Sequence, residues 1–312
     1  MYMLALVAAP GRPGNVQLTT IDDPRPRPDQ ALIAVHHASA NFGELRHPLR
    51  GPGEPLGYDA AGIVVAPAAD GSGPAAGTRV VGFGAGAWAQ LAAISTDNLA
   101  EVPATVDLAD AACLPVAGAA ALRTLRASGS LAGKRVLITG ASGGVGRFAV
   151  QLARLGGAEV VAAVGSAERA QGLTDLGATE IAVGLDGIAP VDVVLDNVGG
   201  SLLVSAWGLL RAGGVLHCIG ATSGEPANFP AGALFSMGEP RRIQTYGDVS
   251  SFGPDLAILA GLLAAGDLVA PVGWRGPWDA LPAAAAELFA RRVLGKIVLD
   301  VPPENSSGYP TD

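Results

Sequence analysis

Val136-Leu-Ile-Thr-Gly-Ala-Ser-Gly-Gly-Val-Gly146 reads as a buried strand that enters a glycine-rich turn and leaves it as a helix, Arg147–Leu155. A dinucleotide pyrophosphate demands that order. The strand brings the chain to the sheet edge. Gly143 and Gly144 let phosphate approach the backbone, and Gly146 lets the helix pack tightly on the strand. The helix N-terminus then offers free N–H groups to the anion. Ala141 replaces the first glycine of the usual G-x-G-x-x-G, so the turn reads Ala141-Ser142-Gly143-Gly144-Val145-Gly146. The pattern alone is weak; its strand, its helix and a second strand at Glu159–Val164 give it weight.

The end of that second strand bears on which dinucleotide binds. NAD sites place Asp or Glu there, about 20 residues past the fingerprint, to hold the ribose 2′-hydroxyl. Here the chain reads Ala163-Val164-Gly165-Ser166-Ala167-Glu168-Arg169. Gly165 stands where the acid is expected, Ser166 can donate to a 2′-phosphate, and Arg169 can meet it with a charged fork. The reading is NADP(H), with Glu168 left as a competing acceptor for a ribose hydroxyl.

Length and composition fit this. The 312 residues hold two ordinary domains, and 49% hydrophobic residues with 44 glycines suit a buried parallel sheet with tight turns. With 28 acids against 20 bases and no basic run, nothing points to a nucleic acid. Lys134 and Lys296 are the only lysines. Cys113 and Cys218 are too few for a four-thiolate zinc site and lack Cys-x-x-Cys spacing, which suits reduced core thiols of a cytoplasmic protein. The opening Met1–Val7 is too short an apolar run for a membrane span or signal peptide and reads as a strand.

Residues 1–110 carry short strands and many turns: Ala31–His37, Gly62–Ala66, Thr78–Gly82 and Ala87–Ile94. This predicts an antiparallel, partly barrel-like domain. A helix is expected over Leu108–Arg126 with Asp107 as its N-cap. From 134 onward strand and helix alternate, with a helix over 167–176 among them and Val136–Ile138, Val160–Val164 and Val191–Leu195 as strands buried on both faces. The expected fold is α/β: a Rossmann doubly wound parallel sheet over 111–266, inserted in a β-rich domain made of 1–110 and 267–312. Arg242–Tyr246 is expected as a strand at a sheet edge that needs cover. The C-terminal return is a helix, Trp278–Arg292, and a strand, Gly295–Val301, before a disordered tail, Pro302–Asp312.

The chain resembles the medium-chain dehydrogenase/reductase superfamily, specifically its zinc-free quinone oxidoreductase and enoyl reductase branch. The resemblance rests on Asn41, Gly57-Tyr-Asp-Ala-Ala-Gly62, Ala141–Gly146, Asp196-Asn-Val-Gly-Gly200 and Gly295-Lys296. It implies a GroES-like β domain, an NADP(H) cofactor and a homodimer formed through the Rossmann edge. Zinc-dependent members place a Cys after the strand that ends here in His37-Ala-Ser-Ala-Asn41, and Gly-His-Glu where this chain has Gly57-Tyr58-Asp59. No catalytic metal is therefore expected. His36 and His37 point to opposite faces of a strand and make a poor chelate, even with His47.

Without a Lewis acid, the site suits reduction of an electron-poor acceptor, a quinone or an α,β-unsaturated carbonyl, by hydride from the nicotinamide. The resemblance puts Asn41 near the nicotinamide ribose and substrate. It adds Asn197, Val198, Gly199, Ile219, Gly220 and Lys296 to the cofactor residues, mostly through backbone contact. Ala117–Ala120 lacks a Thr that relatives often carry. A proton donor is less defined: Tyr58 and Tyr246 are the candidates, each with a structural role as the alternative. Two other readings stay open, a pathway-specific enoyl reductase or cyclase of secondary metabolism and a non-catalytic NADPH sensor.

Overall fold

The computed structural model describes every residue except 1, 47–50, 52, 236 and 304–312; His47 and most of the expected disordered tail lie outside the described residues. The chain forms two compact units, 1–119 with 250–312 and 120–249. The expected joints near 110 and 266 thus fall at 119 and 249.

The first unit opens with an antiparallel ribbon of β1 (Tyr2–Ala8) and β2 (Val16–Asp22). β3 (Gln30–Ala40) follows, one residue longer at its start and three at its end than its apolar alternation predicts, and leads into the short helix α1 (Phe42–Arg46). It pairs along one edge with β4 (Asp59–Ala66), and at its beginning, on the other edge, with β6 (Leu91–Ser95). β5 (Arg79–Phe83) and β7 (Leu99–Glu101) extend the sheet past β4. At Gly62 a Cβ would stand 2.0 Å from the Ala34 carbonyl oxygen, so β3 and β4 meet there only because a side chain is missing.

The long helix expected over Leu108–Arg126 is broken. α2 (Leu108–Ala111) starts at Asp107, whose side chain accepts from the Ala109 N–H at 3.0 Å, as an N-cap should. The chain then widens into a π turn over Leu114–Gly118 and resumes as α3 (Ala119–Ala127). Pro115 explains the break, since it lacks an N–H and crowds the preceding turn.

The second unit holds β8 (Arg135–Thr139), α4 (Gly144–Leu155), β9 (Glu159–Val164), β10 (Glu180–Val183), β11 (Val191–Asp196), α5 (Gly200–Leu209), β12 (Leu210–Cys218) and β13 (Arg242–Thr245). The strands form one wholly parallel sheet in the order β10-β9-β8-β11-β12-β13. This is the doubly wound order, with its reversal between β8 and β11. Val136–Ile138 and Val193–Leu195 have no exposed surface, as expected of strands covered on both faces. The helix expected over 167–176 is reduced to a single 3₁₀ turn, Ala167–Ala170. The chain leaves helical geometry at Gln171, ψ 126°, and Gly172 at φ +75° continues that turn.

The return to the first unit is made by α6 (Gly253–Ala265), β14 (Val272–Pro277), α7 (Leu281–Phe289) and β15 (Lys296–Asp300). β15 joins the outer half of β3 in antiparallel register, Ile297 opposite Ala40, and β14 pairs in parallel with β15. The expected helix Trp278–Arg292 is shorter, with a 3₁₀ turn at 278–280 and its last residue at Phe289. Leu6, Ile33, Trp88, Leu281, Ile297 and Leu299 form the centre of this unit's core. Among the described residues, no helix is long and apolar enough to cross a membrane.

The close approach at Gly62 yields a stability test. Gly62→Ala must push β3 from β4 and should cost about 1–3 kcal/mol or more in chemical denaturation. Gly43→Ala, where an added Cβ meets nothing within 4 Å, should be neutral or slightly stabilising. Equal stability of the two variants would contradict the register described.

Candidate active site

In the second unit, the turn after β8 is built for close backbone approach. The left-handed residue is Gly140, φ +59°, one position before the Ala141 that replaces the fingerprint's first glycine. A Cβ on Gly146 would lie 2.5 Å from the Gly140 oxygen and 2.6 Å from the Ala141 Cα, so α4 starts against the turn itself. At Gly143 an added Cβ would meet, within 4 Å, only the Gly140 oxygen, at 3.4 Å.

Two guanidinium groups close on this turn. Arg169 donates from Nε to the Ser142 hydroxyl at 2.9 Å, and Arg147 donates from Nε to the Ser142 carbonyl at 3.2 Å. Gly165 is exposed, with nothing within 4 Å of where a side chain would start. The position where an NAD site carries its ribose-binding acid is thus open space. Glu168 is exposed, and its hydrogen bond with Ser166 holds its carboxyl below the usual range.

A buried network ties the turn to the sheet reversal. Thr139 Oγ1 donates to Asp196 Oδ1 at 2.6 Å, and the Gly199 N–H donates to Asp196 Oδ2 at 2.8 Å. Asn197 Nδ2 donates to the Thr139 carbonyl at 2.9 Å. Burial raises the Asp196 carboxyl above its ordinary value. Ile219 and Gly220 both donate their N–H to the Asp196 carbonyl, at 2.8 and 3.2 Å. Ala141–Gly146, Gly165, Ser166, Arg169, Asn197–Gly199, Ile219 and Gly220 therefore share the C-terminal edge of one parallel sheet, where open α/β folds bind ligands. Tyr246 follows β13 on the same sheet and donates its N–H to the Cys218 carbonyl at 3.0 Å.

The first unit holds the other predicted residues, in a second network. Asp59 begins β4 directly opposite Ser39 of β3 and is fully buried. Its Oδ2 accepts from the Ser39 hydroxyl at 2.8 Å, from Asn41 Nδ2 at 3.0 Å and from Lys296 Nζ at 3.0 Å; its Oδ1 accepts from the Val116 N–H at 3.0 Å. Lys296 is 3% exposed and also donates to Asn41 Oδ1. Its charge therefore faces Asp59 and Asn41 rather than solvent. Tyr58 stacks on Phe83 at 5.4 Å, and Phe83 on Phe252 at 4.1 Å, which accounts for the Tyr58 ring by packing.

Sequence reasoning missed Glu44. Its Oε2 accepts from the Asn41 N–H at 2.7 Å and from Asn41 Nδ2 at 2.8 Å. The signal was legible: Asn41-x-x-Glu44 has capping-box spacing at the start of α1. Ser39, Thr139 and Asp196 were also missed; only their partners across the fold give them meaning.

A family model described as zinc-binding dehydrogenase matches residues 143–299, about half of the chain. The chain belongs to that family. It is 32% identical to quinone oxidoreductase-like protein 2 of Bos taurus, over 75% of this chain and 72% of that protein. It is 38% identical to an erythronolide synthase of Saccharopolyspora erythraea over 79% of this chain, and spans only 7% of that protein. Among solved structures, a mycobacterial protein in complex with NADPH superposes with a TM-score of 0.85 at 24% identity, over 96% of this chain and all of that one.

The family's name implies zinc, but the donors here do not fit it. Both Asp59 oxygens already hold N–H or O–H donors, with an ammonium at 3.0 Å where a cation would bind. The buried Cys113 thiol is pushed up to about 12 and faces the Ala109 carbonyl. Among the described residues no three His, Cys, Asp or Glu converge, whereas a zinc site needs three or four such ligands.

Asp59→Asn leaves the Lys296 ammonium buried without a counter-charge and should cost about 3–5 kcal/mol in denaturant unfolding. Asp59→Asn combined with Lys296→Met should recover part of that loss. Strictly additive losses would contradict a coupled pair.

Proposed function

We propose that this protein is an NADP(H)-dependent, metal-independent reductase that adds hydride to a quinone or to the β-carbon of an α,β-unsaturated carbonyl. One observation carries this reading: a glycine-rich dinucleotide turn stands in a chain whose would-be metal donor, Asp59, already holds the Lys296 ammonium. A site without a Lewis acid is poorly suited to oxidising an alcohol and well suited to reducing an acceptor that is already electron-poor.

Bound nicotinamide supplies the hydride. The chain's own residues bind and orient. The N–H groups at the start of α4 receive the pyrophosphate, and Arg169 meets a 2′-phosphate in the space left by Gly165. The backbone of Val198, Gly199, Ile219 and Gly220 lines the nicotinamide. Asn41 faces the ribose and substrate. For an enone, the α-carbon takes its proton from solvent or from Tyr58 or Tyr246; a quinone can take both protons from water.

The match to an erythronolide synthase favours an enoyl thioester of secondary metabolism as the acceptor within this class. A sensor that binds NADPH without turnover is the competing reading. We further propose that the protein works in the cytoplasm as a homodimer through β13. That strand ends its sheet with every residue exposed, and in the segment that precedes it Phe235 and Met237 are 87% and 97% exposed. An open apolar edge of this kind needs cover.

Two experiments test these readings. NADPH absorbance followed with 1,4-benzoquinone and with a crotonyl thioester should fall with at least one acceptor, and should be insensitive to chelators. Arg169→Ala should weaken NADPH about 10- to 100-fold, the loss of a charged hydrogen bond, with little effect on NADH. Tight NADPH binding without consumption of either acceptor would favour the sensor. Light scattering should give a dimer, reduced to monomer by Ile243→Lys; a wild-type monomer would overturn the edge pairing.

A further inference from the structure

We propose that Arg147 is a positioning residue for the choice of cofactor: its guanidinium straps the turn after β9 to the glycine-rich turn after β8, and so holds Arg169 where a 2′-phosphate binds. This rests on the reading of the second unit as an NADP(H) site in which Arg169 meets the 2′-phosphate.

The need for a strap comes from the missing helix. Parallel strands are usually joined through an α-helix, whose hydrogen bonds hold its own backbone. Between β9 and β10 the chain makes only the 3₁₀ turn Ala167–Ala170 and leaves helical geometry at Gln171. Ser166 and Arg169 stand on this stretch. None of residues 165–172 is buried, whereas Val164 before them and Leu173 after them are. Packing into the core therefore stops at Val164 and resumes at Leu173.

Arg147 ties the stretch down between those points. It lies in the first turn of α4. Its Nε donates to the Ser142 carbonyl at 3.2 Å, and its Nη2 donates to the Gln171 carbonyl at 2.6 Å. Ser142 is buried, and its hydroxyl accepts from Arg169 Nε at 2.9 Å. These contacts close a ring. It runs from Arg147 to Ser142, on to Arg169, along the backbone to Gln171, and back to Arg147. Every member belongs to the second unit.

The ring calls for arginine. One planar guanidinium donates to carbonyls on two separate segments, whereas lysine brings a single nitrogen on a flexible stem. Gly172 lies against the same group: a Cβ there would stand 3.5 Å from Arg147 Nη1. The ring also separates the two nucleotides. A 2′-phosphate makes charge-assisted bonds to a guanidinium held in place, and NADH has only a hydroxyl there. Ordering Arg169 in advance thus lowers the cost of binding NADPH and changes little for NADH.

The test titrates NADPH and NADH into wild type, Arg147→Met and Arg147→Lys; Met and Lys keep the helix propensity of α4 close to that of Arg. Arg147→Met should weaken NADPH about tenfold, the cost of ordering the turn on binding, and leave NADH within about twofold. Arg147→Lys should not restore the loss. In an Arg169→Ala background, Arg147→Met should weaken NADPH less than about twofold further, because its effect passes through Arg169. Equal weakening of both nucleotides, rescue by Lys, or additive losses with Arg169→Ala overturns the proposal.

Proteolysis gives a readout that needs no nucleotide. Trypsin cuts after arginine, and a strapped turn resists it until the turn opens locally. Cleavage after Arg169 in the nucleotide-free protein should be about tenfold faster in Arg147→Met than in wild type. Unchanged cleavage overturns the proposal. Faster cleavage in a protein whose wild type binds NADPH no better than NADH would establish the strap and instead fault the NADP(H) reading.

Discussion

The ion pair between Lys296 and Asp59 is the constraint on which the first unit depends. The two residues lie 237 positions apart and meet with almost no exposed surface. A lone charge at that depth is far less stable than the pair, so β15 must return to the sheet at one register, with Ile297 opposite Ala40. Asp59 also collects Ser39 from β3, Asn41 from the start of α1 and the Val116 N–H from the π turn. One carboxylate thus fixes where β3 ends, where α1 begins and how the chain is held after Pro115. The same saturation makes Asp59 a poor ligand for a metal.

The second unit works by omission. Gly146 permits a contact that any side chain would block, and Gly165 leaves open space after β9. Arg169 and Arg147 are both held against the turn by Ser142. Preorganised donors of this kind reduce the ordering cost of binding an anion. Asp196 has a parallel role at the sheet reversal, where its two oxygens hold Thr139 and the Gly199 turn without a cation.

Much of this was legible in the sequence. The turn Ala141–Gly146 and the apolar strands around it gave the Rossmann sheet, because strands buried on both faces leave continuous apolar runs. Asn41, Tyr58, Asp59 and Lys296 were legible as family positions. Their mutual geometry was not, since no local pattern says that Lys296 returns to Asp59. Glu44 was readable only as a cap; its enclosure depends on elements remote in sequence. The helix expected over 167–176 ends where Gln171 and Gly172 turn out of helical geometry, and that over 108–126 is broken where a π turn accommodates Pro115. Both are cases in which a helical apolar period outlasts the backbone that would carry it.

The most direct test of the account is a crystal structure of the protein grown with NADP⁺ and excess zinc, with data collected across the zinc edge. The account predicts the pyrophosphate over Gly143 and Gly144, the 2′-phosphate within hydrogen-bond reach of Arg169, and no anomalous peak at Asp59, Glu44 or Asn41. A zinc peak at Asp59 with Lys296 turned away, or a nucleotide bound without Arg169, would contradict it.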